Sequence, residues 1–371
     1  MNHLNKYFLI VALGFSCLLS LSTRAQAPAE ESIATKELVK SPEFFEMKPA
    51  AYQALEEMWK RTTEEQPSDA NAWLNYYKSA RFSNYTEHAK NISKDEKKKL
   101  DAIISKMSVE VPSTFAFYYA SYLHAEKSDE SFSYLKAAYN LDPSNAELYD
   151  DLLCNALING PVNEVKTFSE KLSATGIYNA AEVEYNRNVF NSVEQNAILV
   201  TNGNVDTYPL ILMQQLQGFR TDVSVVCLDW LNSQKYREKV ALQLGIAPKG
   251  LDFDRILNAS ASRPVYVALT LPPSLLKKFS NEFYCTGLAM KHSFSPLKNL
   301  ESLAYNWEFL FVKTKLNSAE QINRNYLLPL IQLREHYNTQ GRGGDAAKID
   351  QQIRDLSQRF GLTSAIQKHL D

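Results

Sequence analysis

The chain has 371 residues, with 40 lysines and arginines against 42 aspartates and glutamates, a formal net charge of −2 and 45% hydrophobic residues. That balance supplies no positive field to hold nucleic acid, and the length is room for two or three domains of about 100–200 residues each. Its four cysteines are too few and too widely spaced for a disulfide framework, a CxxC redox pair or a zinc knuckle.

At the N-terminus, Lys6 precedes an apolar stretch over residues 7–21, and Ala25-Gln26-Ala27 follows as a small-x-small cleavage site. The pattern predicts a signal peptide over residues 1–27, cleaved after Ala27, and a periplasmic product. A lipid anchor through Cys17 fits less well, because bulky Phe15 sits where lipoprotein processing favours a small residue. Cleavage removes Lys6 and Arg24, leaving 38 basic residues against 42 acidic ones, a net charge near −4. No later stretch offers about 18 uninterrupted apolar residues, so no transmembrane span is expected in the mature chain, and association with the outer membrane stays open. Of the retained cysteines, Cys227 inside VSVVCL reads as a buried strand thiol, and no two histidines stand at i, i+4. Neither a metal site nor a cofactor is expected.

Residues 28–193 read as a helical repeat domain, with Tyr, Phe, Trp, Leu and Ala recurring three and four apart from about residue 41. A start signal recurs at Pro67-Ser68-Asp69, Pro112-Ser113-Thr114 and Pro143-Ser144-Asn145. Proline has no N–H to lose at a helix edge, and the polar residues behind it cap the free amides of the first turn. Between the last two starts, Tyr119, Leu123, Ala137, Tyr139 and Leu141-Asp142-Pro143 stand where the tetratricopeptide repeat has its packing residues, and the block resembles a degenerate member of that family. The resemblance implies an α-solenoid. Ser93-Lys94-Asp95-Glu96-Lys97-Lys98-Lys99 reads as a solvated loop or a helix start. Tyr76, Tyr77, Tyr118, Tyr119 and Tyr122 are candidates for a protein-binding groove, set against the plainer reading that such stripes pack one repeat on the next.

Near Asn196 the period changes. NAILVTNG, VSVVCLDWL and RPVYVALTL are short runs of β-branched and aliphatic residues, separated by helical stretches over 208–219 and 233–244. The order predicts a small parallel sheet with βαβ crossovers over residues 194–316, with continuous apolar runs that suit strands covered on both faces. A fourth strand is expected over 282–292 and a helix over 296–312. Residues 317–371 return to helical periodicity, as a hairpin turning at Gly341-Arg342-Gly343-Gly344. The fold class expected is therefore α/β plus α: an α-solenoid, a small parallel sheet, a helical hairpin.

TNGNVDTYP, residues 201–209, falls at a strand-to-helix turn, where open α/β sheets present helix amides to ligands. Asn202, Gly203, Asn204, Asp206 and Thr207 are candidate ligand contacts, with Arg220 and Asp222 as a polar rim. The competing reading makes Asp206 or Thr207 a helix cap, Pro209 a first-turn residue and Arg220-Thr221-Asp222 a helix-ending turn. Asn202-Gly203, Asp206-Thr207-Tyr208-Pro209 and Gly218-x-Arg220-Thr221-Asp222-Val223 also resemble the soluble C-terminal domain of a family of bacterial polytopic membrane proteins, some of them protein O-mannosyltransferase-like, whose pattern begins on an asparagine-containing helix; Thr286-Gly287-Leu288-Ala289 matches it more loosely. That family carries Asp-Asn after the glycine, where this chain has Asn204-Val205, leaving Asp206 as the loop's one acid. A paired-carboxylate mechanism or a metal clamp is hard to build there, and the membrane-spanning transferase part is absent. Two functions stay open: an exported, non-catalytic protein-interaction or scaffold protein of the bacterial envelope with a protein or peptide partner, or a glycan- or nucleotide-sugar-binding module or enzyme using residues 202–207. No G-x-S-x-G elbow supports a hydrolase.

Overall fold

The computed structural model describes residues 39–40, 49–83, 93–125, 129–259 and 262–367; the leader expected over 1–27 lies outside them. The described residues form two compact units, divided in sequence between Ile177 and Tyr178.

The first unit is helical. Helix α1 (Pro49–Glu65) packs on α2 (Ala70–Phe82), α4 (Phe115–His124) on α5 (Asp129–Leu141) and α6 (Tyr149–Asn159) on α7 (Val162–Ala174), with α3 (Lys94–Glu110) against α2 and α4. At each Pro-Ser start the cap is the residue after the serine. Asp69 accepts from Ala72 N, Thr114 from Phe117 N and Asn145 from Glu147 N, the last opening a 3-10 turn that leads into α6. The charged stretch at 93–99 resolves as a helix start, because Ser93 and Glu96 form a reciprocal capping box at the head of α3. Lys78 on α2 is only 4% exposed, yet its Nζ lies 2.9 Å from both carboxylate oxygens of Glu147, which satisfies a buried cation.

The second unit runs through α8 (Ala180–Asn191), β1 (Ile198–Thr201), α9 (Asn204–Gln217), β2 (Ser224–Cys227), α10 (Gln234–Leu244), α11 (Phe253–Asn258), β3 (Val265–Ala268), α12 (Pro273–Lys278), β4 (Phe283–Cys285), β5 (Ala289–His292), α13 (Asn299–Tyr305), α14 (Leu327–Thr339), α15 (Gly343–Arg359) and α16 (Thr363–Gln367). The strand order is β2-β1-β3-β5-β4. β1 pairs in parallel with β2, Ile198 opposite Ser224, and with β3, Ile198 opposite Val265. β1 and β3 are buried at every position, as their unbroken apolar runs require.

The expected parallel sheet is in fact mixed. Residues 282–292 are not one strand but a hairpin of β4 and β5, and β5 lies antiparallel to β3, with Val267 opposite Met290. Three residues join β4 to β5, and so short a link permits only antiparallel pairing. The helix expected over 296–312 is also shorter than predicted. After α13 it widens into a π turn, Asn306–Leu310, closed by Phe311 N on Asn306 O at 2.9 Å. α14 and α15 pack on each other as the C-terminal hairpin.

Helix α8, which periodicity groups with the helices before it, belongs to this unit through buried polar groups. Asn188 Nδ2 donates to Val312 O and Tyr326 Oη at 2.6 and 2.8 Å, and its Oδ1 accepts from Val312 N at 2.8 Å. Glu184 accepts from Lys315 N at 2.7 Å and from the Thr314 hydroxyl.

Candidate functional site

The connections leaving β1 and β3 run to opposite sides of the sheet, so the crevice between their carboxyl ends is the topological switch point where open α/β sheets hold ligands. α9 begins at Asn204, four residues before the helical pattern expected from Tyr208, and its N-cap is Gly203. Asp206 therefore sits at the third helical position and is not itself the N-cap. Its carboxylate turns back to accept from Asn202 N at 2.8 Å and Gly203 N at 2.9 Å, while Thr270, in the turn after β3, donates its hydroxyl from the far side of the crevice. Asp206 is 1% exposed. Burial raises its pKa above the ordinary carboxylate value despite those donors, and Asp229 adds like charge. Thr207 shares a 2.7 Å hydroxyl bond with Thr201, and Asn202, Gly203 and Asn204 are half-buried.

Pro209 lies inside α9 and has no N–H to give the carbonyl four residues back, that of Val205. Asn186 Nδ2, on α8, takes that carbonyl at 3.0 Å. The irregular start of α9 is thus held from two neighbours, α8 and the turn after β3.

Beside the loop, a cleft of about 580 Å³ is lined by Leu228, Asp229, Leu231, Asn232, Arg237 and residues 250–253. None of residues 202–207 lines it. The loop reaches it at Gly203, where a Cβ would stand 3.5 Å from Asp229 Oδ2. Arg237 donates to the carbonyls of Leu231 and Asn232 at 2.6 and 3.0 Å, and Asp252 accepts from Arg255 N at 2.9 Å. Cys227, at the end of β2, is buried with its thiol pKa pushed up by desolvation, and burial likewise pushes Cys285 up to about 12, so neither is an activated thiolate.

Arg220 and Asp222 stand elsewhere. Arg220 grips Asp222 with two bonds of 3.0 Å and donates to the carbonyls of Phe190, Val193 and Glu194, closing the end of α8. Asp222 accepts from Asn196 N at 2.9 Å, and its bonds to Arg220 hold its pKa down to about 2. Asn196 precedes β1 whereas Asn202 follows it, and a strand rise of about 3.3 Å per residue puts roughly 20 Å between the two ends. The predicted rim and the predicted loop therefore lie at opposite ends of β1.

In the first unit Tyr77, Tyr119 and Tyr122 are buried, while Tyr76 and Tyr118 are half-buried. Tyr77 Oη lies 3.3 Å from His124 Nδ1, and His124 Nε2 lies 2.8 Å from Asp101. Among the described residues no group of three or more His, Cys, Asp or Glu is placed to hold a metal ion, and no helix is long and apolar enough to cross a membrane.

Asp229 follows β2, which the βαβ order sets parallel beside β1, whereas Thr270 was not legible as a partner of the loop. Thr270 follows its own apolar run, in ALTLPPS, but nothing local tells that the end of that run also lies beside β1.

The fold defines a small mixed-sheet α/β unit with a polar, hydrogen-bonded turn at its switch point. Residues 182–244, from α8 through α10, match the family model TMEM260-associated domain 2. That span contains Asn186, Asp206, Arg220, Asp222 and Asp229, so it takes in both ends of β1 and β2. No curated protein and no solved structure matches the chain.

Proposed function

We propose that this is an exported, non-catalytic interaction or scaffold protein of the bacterial envelope, carried to the periplasm by residues 1–27. Its helices over 49–174 work as tetratricopeptide-like units that receive a protein or peptide, and the α/β unit serves as structure or as a small-molecule sensor. The observation that carries this reading is the state of Asp206. The one acid of the loop is 1% exposed and accepts from Asn202, Gly203 and Thr270, so proton transfer to a ligand would dismantle the start of α9. Asp206→Ala is expected to lower stability by about 1–3 kcal/mol, read by urea denaturation, because it removes the acceptor that Asn202 N, Gly203 N and the Thr270 hydroxyl share. Crosslinking in the periplasm followed by capture is expected to return a partner that is lost when residues 49–174 are removed. Capture at background level from the intact chain would sink the proposal.

A second reading rests on the 580 Å³ cleft beside Gly203 and Asp229: a glycan- or nucleotide-sugar-binding module. It requires a thermal shift with envelope glycans or nucleotide sugars that the intact chain gives and Asp229→Ala, in the wall of the cleft, lacks. Transferase activity is not carried over from the family match, which covers 182–244 alone.

A further inference from the structure

Single exposed apolar side chains are ordinary on a protein surface, but a contiguous group is not. Among the described residues Val109, Leu141, Val162, Leu216, Leu242 and Phe294 are exposed one at a time along the sequence, whereas Tyr305, Phe309, Leu310 and Val312 fall within one eight-residue segment. Phe309 is 70% exposed and Tyr305 56%, with their rings 5.3 Å apart. The π turn over Asn306–Leu310 contributes to this placement: the widened turn leaves Trp307 and Phe311 buried while Phe309 and Leu310 face out.

The segment is held rigidly in that pose. Asn191 Nδ2 donates to Leu310 O at 2.8 Å, and Asn188 takes both backbone groups of Val312. Exposed Lys313 and Lys315 follow, with Lys313 Nζ 4.6 Å above the Trp307 ring. The acid within the segment, Glu308, accepts from Tyr337 Oη at 2.6 Å and Arg342 Nη1 at 2.8 Å, so its charge is matched inside the protein. Glu301, on the first turn of α13, is exposed, and Glu184 is buried beneath Thr314 and Lys315.

We propose that residues 305–315 dock on an anionic lipid bilayer surface, with Tyr305, Phe309, Leu310 and Val312 entering the headgroup–acyl boundary and Lys313 and Lys315 meeting lipid phosphates. Charge complementarity selects this occupant: aromatic and aliphatic side chains beside lysines are the composition that binds an interface, where apolar burial and attraction to anionic headgroups add.

The test uses residues 28–371, which contain every described residue and omit the apolar stretch 7–21, itself able to enter lipid. Co-sedimentation is measured with vesicles of phosphatidylcholine alone and of phosphatidylcholine with phosphatidylglycerol. Binding is expected on the anionic vesicles and to fall with added salt. Phe309→Ser with Leu310→Ser should weaken partitioning by about tenfold or more, Lys313→Glu with Lys315→Glu should remove the preference for phosphatidylglycerol, and Phe294→Ser should change nothing. Circular-dichroism melts confirm that each variant is folded. Failure of the unaltered chain to bind anionic vesicles overturns the proposal, as does unchanged binding by the folded Phe309/Leu310 variant. Sedimentation velocity showing a dimer that this variant abolishes, without vesicle binding, assigns the patch to a second copy of the chain instead.

Discussion

Asp206 and Asp222 are two carboxylates in one short stretch with opposite electrostatic fates. Asp222 sits beside Arg220 and has its pKa lowered from 3.8 to about 2. Its contribution to stability is therefore present above the unfolded value near 3.8 and is lost as pH falls through about 2. Asp206 is raised by burial, so its proton-linked contribution is present at low pH and is lost as pH rises through the elevated value. Asp222→Asn is expected to lower the urea midpoint at pH 5 and to flatten the decline between pH 4 and pH 2, measured by denaturation across that range. An unchanged acid limb would place the Arg220–Asp222 pair outside the energetics of the fold. The Arg–Asp turn was legible from its two-residue spacing. The inward turn of Asp206 was not, because Thr270 is 64 residues away in the chain.

Among the elements, the hairpin of β4 and β5 departs most from what periodicity indicates. Its turn is Thr286-Gly287-Leu288, and Gly287 has φ +155. A Cβ there would collide with the Ser192 side chain and come within 2.7 Å of the Phe311 ring. Ser192 cannot easily give way, since its hydroxyl donates to Asn188 O at 2.7 Å and accepts from Leu288 N at 2.8 Å. Gly287→Ala is expected to cost about 2–4 kcal/mol through backbone strain and overpacking, checked by chemical denaturation. β1, β2 and β3 were readable because each is an apolar run bounded by turn residues. β4 and β5 were not separable, because a lone glycine amid EFYCTGLAMKH is a weak turn signal beside an unbroken run of strand formers. The π turn has no sequence signature of its own, and its widened geometry is what turns Phe309 and Leu310 outward.

For the whole molecule, the division at Ile177/Tyr178 makes α8 and the C-terminal helices parts of the sheet's own unit. Asn186 supplies the partner that Pro209 denies Val205, and Asn188 and Glu184 fix the backbone of 312–315. A fragment of residues 178–371 is expected to melt cooperatively, whereas residues 194–316, stripped of these polar partners, should remain unfolded by circular dichroism and near-ultraviolet signals. A cooperative melt from the shorter fragment would show that α8 is dispensable to the sheet. The sequence alone determined what depends on near neighbours: helices from their period and caps, the three parallel strands from their apolar runs, and the existence of a strand-to-helix turn after β1 from its composition. Tertiary structure decided what depends on residues far apart in the chain: the mixed sheet, the unit to which α8 belongs, the opposite strand ends held by Asp206 and Arg220, and the closure of Asp206 by Thr270. Burial and hydrogen-bond satisfaction across the sheet set these, and no local periodicity encodes which distant groups come to share one crevice.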